Sequence, residues 1–186
     1  MTSPAALHFT GDPEADALLA QDPLALLIGF ALDQQVPVPV AFAGPLKLRQ
    51  RFGTLDPGTI AGGDPERLEA VFRERPAIHR FPSAMAGRVQ ELCAVVVETY
   101  GGDAARLWTE AADGDDLRGR ISALPGFGEM KVIALGSVLA KRFGVEAAWP
   151  LVPDHPTLGD VDSAEALASY QAAKRAYKAA AKSARG

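Results

Sequence analysis

Four Asp-Pro pairs, at Asp12-Pro13, Asp22-Pro23, Asp56-Pro57 and Asp64-Pro65, restrict the fold of this chain more than any other feature. An aspartate just ahead of a helix accepts a hydrogen bond from a free backbone N–H. Proline fits the first helical position because it has no N–H to leave unpaired. Each pair precedes a helical pattern: Glu14–Leu19, Leu24–Gln34, the short Gly58–Ala61 and Glu66–Arg73. A longer helix is expected from Ser83 to Tyr100, where Met85, Val89, Leu92 and Val96 fall on one stripe and Gly101-Gly102 closes it. Asp103–Ala111, Asp115–Leu124, Met130–Phe143 and the Ala-rich Ser163–Lys182 complete the set. No two alternating strand patterns are joined by a hairpin turn. The expected fold class is all-α, with two helical lobes around a cleft. Their junctions are expected near Gly101-Gly102 and in the loop Ala147–Asp162, where Pro150, Pro153 and Pro156 forbid a continuous helix.

The chain has 186 residues, 48% of them hydrophobic, enough for one domain with its own core or two small helical lobes sharing a cleft. No run approaches the ~20 apolar residues that a membrane span needs. The N-terminus lacks the basic and apolar segments of a signal peptide, so a cytoplasmic location is expected. Cys93, the single cysteine, cannot pair internally or supply an iron–sulfur cluster. His8, His79 and His155 are scattered, so no structural zinc is expected, and no organic cofactor or redox metal is implied.

Net charge is −4, yet the bases are grouped. Arg118, Arg120, Lys131, Lys141 and Arg142 face one acid, Glu129, between Leu117 and Gly144. Lys174, Arg175, Lys178, Lys182 and Arg185 follow Glu165 with no further acid. That asymmetry predicts a basic face on an acidic body. For the C-terminal bases the competing reading is a plain solvated helix face.

The segment Leu117–Gly144 carries the most chemistry. A helix bearing Ile121 and Leu124 stops at Pro125. Gly126-Phe127-Gly128 turns the chain, and a second helix bearing Val132, Ile133, Leu135 and Val138 follows. The glycines permit backbone angles that other residues resist, and Phe127 is expected to wedge between the helices. The turn's N–H groups and the next helix N-terminus then form an anion site, with Met130 beside it and Lys131 adding a charge. The competing reading is an αα-corner with no ligand.

Leu124-Pro125-Gly126-Phe127-Gly128 resembles the hairpin of the helix-hairpin-helix DNA glycosylase superfamily, which includes endonuclease III and the adenine and alkyladenine glycosylases. Together with Asp22–Pro45, His79–Val89 and Gly159–Leu167, it makes the whole chain similar to small actinobacterial helix-hairpin-helix base-excision repair proteins. The resemblance implies one unit over 1–186, with the hairpin motif at 115–144 and a C-terminal helix, 163–183, folded back on the N-terminal lobe. It implies a monomer acting on double-stranded DNA that contains a damaged base. Gln35, beside Gln34, falls where the superfamily has a glutamine that fills the hole left by an extruded nucleotide. The superfamily's catalytic aspartate lies in the loop after the hairpin's second helix. Asp160 matches that pattern best, Asp154 lies closer to the hairpin, and Asp162 reads more plainly as the cap of the Ser163 helix.

Members that cleave the strand carry a lysine two residues after the second hairpin glycine, where this chain has Met130. Lys131 lies about 100° further round the helix, so it is expected to face phosphate and not the sugar. The resemblance therefore implies a monofunctional glycosylase. It also allows a monovalent cation at the hairpin carbonyls. His79, Arg80 and Phe81, in a proline-bounded loop, are candidates to line a base pocket. Trp108 and Trp149 are alternatives, with core packing as the competing reading for each. A non-enzymatic DNA-binding protein and a helical protein-interaction domain remain as rivals.

Overall fold

The structure, a computed structural model, describes residues 3–186. The first two residues of the unit expected over 1–186 lie outside it. No strand forms among the described residues. In chain order the helices are α1 (Pro13–Gln21), α2 (Pro23–Leu32), α3 (Val38–Phe52), α4 (Pro57–Ala61) and α5 (Pro65–Arg73). They continue with α6 (Pro82–Tyr100), α7 (Arg106–Thr109), α8 (Gly114–Ser122), α9 (Glu129–Phe143) and α10 (Ala164–Ala184). Short 3₁₀ turns occupy Glu146–Leu151 and Leu158–Asp160.

The Asp-Pro starts form as their chemistry dictates. Asp12, Asp22, Asp56 and Asp64 each accept a hydrogen bond from an N–H of the following turn, with Pro at the helix start. Each such cap is worth about 1 kcal/mol. The helix over Val38–Phe52 is not expected from the sequence, because Pro37, Pro39 and Pro45 read as breakers. Pro37 and Pro39 fall where no intrahelical donor is needed, and only Pro45 lies inside. Two expected helices are shorter. The Asp103–Ala111 helix reduces to α7, flanked by turns. Helix α2 stops at Leu32, not Gln34, because the Gln34 N–H folds back onto the Leu32 carbonyl at 2.7 Å.

Helix α2 is apolar on every side and all of Leu24–Leu32 is buried, as such a helix must be. No single helix among the described residues is long and apolar enough to cross a membrane. Phe42 of α3 anchors the core between Phe9 and Phe30, with ring centroids 5.0 Å from each in edge-to-face contact. Helices α1 to α6 pack mainly on one another. Helices α8 and α9 and the 3₁₀ turns form a second packing group, and one continuous hydrophobic core joins the two.

Within the second group, Gly159 lies against the backbone of α9. A Cβ there would sit 2.5 Å from the Ser137 carbonyl oxygen, so only glycine permits the contact. That contact lays residues 157–160 along α9. Helix α10 then docks through buried Leu167 and half-buried Tyr170, and runs exposed from Ala172 to Ala180. Its cap is Ser163, whose hydroxyl accepts the Ala166 N–H at 3.0 Å, and not Asp162.

Candidate nucleic-acid groove

The hairpin takes the shape its sequence requires. Gly126 has φ +77°, and Phe127 is buried between α8 and α9. The Phe127 N–H donates to the Leu124 carbonyl at 3.2 Å, which closes the turn. Among the described residues no acceptor reaches the N–H groups of Gly128, Glu129 and Met130, so the N-terminus of α9 is open. Met130 projects from it, 84% exposed. The carbonyls of Leu124 and Gly128 already accept backbone N–H groups. No donor among the described residues reaches the carbonyls of Pro125, Gly126 and Phe127.

Lys131 does not face outward as expected. It is half-buried, lies 5.4 Å over the Phe127 ring, and donates to the carbonyl of Ala31 at 3.2 Å. The reason is electrostatic: a cation satisfies the orphan carbonyls at the negative end of α2. Burial lowers the Lys131 pKa, with nearby Asp33 acting in the opposite sense.

His79 performs a parallel task. Its ring is 1% exposed, and its Nε2 lies 3.1 Å from the carbonyls of both Leu32 and Gln34. Nδ1 accepts the Phe81 N–H at 3.0 Å, so Nε2 carries the proton and is the donor. Burial pushes the His79 pKa down and keeps the ring neutral. With both nitrogens committed to backbone, His79 is a clamp behind the loop and offers no group to a base. Arg80 and Phe81 are exposed, with the Arg80 guanidinium 4.9 Å over the Phe81 ring.

What Lys131 and His79 hold is the loop Asp33-Gln34-Gln35. Gln34 and Gln35 are exposed there, and Gln35 has φ +57°, the only non-glycine positive φ among the described residues. A residue held in that region is strained, and the surrounding clamps impose it.

This loop forms one wall of a groove of about 920 Å³. The start of α9, residues 155–158 and the inner face of α10 form the others. Five cations line it: Arg80, Lys131, Lys174, Arg175 and Lys178. Asp33 is its single acid.

The basic face expected over 117–144 forms only in part. Arg118 is paired with Glu129, Arg120 with Asp116 and Lys141 with Asp160. The cationic surface belongs instead to α10 and its neighbours. Arg88, which sequence reasoning does not single out, packs its guanidinium on Gly126 at the hairpin.

Asp160 lies outside the lining of the groove. One oxygen accepts from the Lys141 ammonium at 2.5 Å. The other caps residues 157–160 through the Thr157 N–H at 2.8 Å. Burial alone would raise its pKa, but Lys141 and Thr157 outweigh burial and hold the carboxyl below the ordinary range. Asp154 is exposed, with no side-chain hydrogen bond or ion pair among the described residues, beside groove-lining His155. Trp108 is buried against Phe143 at 6.5 Å, as core packing predicts, and Trp149 is half-exposed away from the groove lining.

No group of three or more His, Cys, Asp or Glu side chains suited to a metal occurs among the described residues, and Cys93 is buried with its thiol pushed up to about 12. Comparison with family models, with curated proteins and with solved structures finds no match to this chain.

Proposed function

We propose that this protein is a monofunctional DNA glycosylase of helix-hairpin-helix type. It would hydrolyse the N-glycosidic bond of a damaged or deaminated base extruded from duplex DNA. The observation that carries the reading is the groove itself. Five cations and the open N-terminus of α9 converge on it, and a strained, exposed Gln35 stands at its edge. Backbone phosphates neutralise such a cation set. An amide side chain at that edge fills the space an extruded nucleotide leaves, which offsets part of the unstacking cost of a few kcal/mol. The open groove, at about 920 Å³, has room for a nucleotide.

Met130 stands where strand-cleaving members carry their lysine, and the Lys131 ammonium is engaged on Ala31. Water is therefore the nucleophile. The products are a free base and an abasic site. The experiment is incubation of the protein with duplexes that each carry one lesion, followed by alkali. A new alkali-labile site at one lesion supports the reading.

The rival is a DNA-binding protein without catalysis on the same hairpin. One observation favours it: Asp160 is already committed to Lys141 and Thr157. It predicts binding that is independent of damage, a steep salt dependence and no turnover.

A further inference from the structure

Glycosidic cleavage builds positive charge on the sugar, so it needs a carboxylate that faces the substrate and is free to act. Asp33 is the one carboxylate lining the groove. Its surroundings are unusual in three ways. It sits at the C-terminus of α2, where the helix dipole disfavours an anion. It is half-buried on a loop locked from behind by His79 and Lys131. Its carboxylate makes no hydrogen bond to any other described residue and no ion pair within 4.0 Å. Exposed Asp115, Asp154 and Asp162 share that lack but lie outside the groove lining, whereas aspartates such as Asp16, Asp22, Asp116 and Asp160 accept hydrogen bonds. Lys131, Lys174 and Lys178 surround Asp33 at longer range, and Tyr170 stands across the groove. A partly buried acid with no structural partner, on a rigid support and beside the strained Gln35, has the features of a group kept for a ligand.

We infer that Asp33, and not Asp154 or Asp160, is the catalytic carboxylate of this protein. The inference rests on the glycosylase reading. With the nucleotide in the groove, the C1′–N bond breaks and its electron pair leaves on the base. The Asp33 anion stabilises the cationic sugar. A water oxygen then bonds to C1′, and its proton passes to Asp33 and on to the departing base. Burial, partly offset by the three lysines, raises the Asp33 pKa above the ordinary carboxylate value, which suits a group that takes a proton during the reaction.

The test compares wild type with Asp33→Asn on the lesion duplex that wild type cleaves. Single-turnover rate is measured beside the Kd for a duplex carrying a tetrahydrofuran abasic analogue, and a thermal melt accompanies both. The expected result is a rate lower by at least about 100-fold, with Kd unchanged or tighter and the fold intact. Asparagine removes a negative charge from among the phosphates, so binding does not suffer. A rate within threefold of wild type overturns the assignment and leaves the glycosylase reading standing. Parallel losses of rate, binding and melting temperature also overturn it, because Asp33 then acts in the fold. A wild type that binds the analogue but cleaves no lesion refutes the glycosylase reading, and this inference with it.

Discussion

The Lys131 ammonium donates to the carbonyl oxygen of Ala31 at 3.2 Å, across 100 positions of chain. This bond ties the first turn of the hairpin's second helix to the end of the core helix α2. The hairpin and the Gln35 loop are thereby held in one fixed relation. Replacing Lys131 with Met leaves a carbonyl at the α2 terminus without its charged donor. The expected cost is about 1–3 kcal/mol. At roughly 2–4 °C per kcal/mol for a chain of this size, the Tm falls by about 2–12 °C in a calorimetric melt.

The same bond bears on mechanism. An amine nucleophile must be neutral and free to reach C1′. Burial lowers the Lys131 pKa, but its nitrogen is engaged on the Ala31 carbonyl at a helix C-terminus and is not free. Borohydride added during reaction with a lesion duplex is expected to trap no covalent protein–DNA complex. A trapped band that Lys131→Met abolishes would show that Lys131 leaves Ala31 to attack the sugar.

His79 gives the fold a defined pH dependence. Its pKa is lower folded than the ordinary 6.5. Below 6.5 the unfolded chain binds a proton that the folded chain resists. The stability held by neutral His79 is therefore fully present above pH 6.5 and lost as pH falls through the folded value. Between pH 7 and pH 5, wild type should lose more Tm than His79→Gln, which cannot titrate. Equal losses would place the His79 proton elsewhere than on the clamp.

Lys174, Arg175 and Lys178 lie on the exposed stretch of α10 and line the groove. Changing all three to Gln is expected to leave the Tm within about 2 °C, since surface changes away from special features move stability little. Duplex binding should weaken. The slope of log K against log salt should become less steep by about 2–3, at roughly 0.9 for each phosphate no longer neutralised. An unchanged slope would mean that DNA does not cross this helix.

Much of the architecture is legible in the sequence because its signals are local. The Asp-Pro starts name their own N–H partners, and the stripe Met85, Val89, Leu92 and Val96 is buried as its spacing requires. The buried Phe127 and the positive φ of Gly126 follow from the hairpin motif. Helix α3 is hidden because proline reads as a breaker unless its place in the first turn is known. The site is less legible because its contacts are long-range. No spacing shows that Lys131 turns onto Ala31, or that Lys141 and Thr157 occupy Asp160. The basic stretch at 117–144 looks free in the sequence because two of its ion-pair partners, Asp116 and Asp160, fall outside it. Asp33 does carry a signal: an acid at the end of a wholly apolar helix stands against the helix dipole.

Removal of a base from DNA in the groove between the Gln35 loop, the hairpin and α10 is open to one direct measurement. It is single-turnover incubation of the protein with duplexes bearing uracil, a deaminated purine or an alkylated purine, resolved with and without alkali. The predicted result is strand scission at one lesion only after alkali, from an abasic site left by water attack. Tight, salt-sensitive binding with no alkali-labile site at any lesion would contradict it and favour a DNA-binding protein without catalysis.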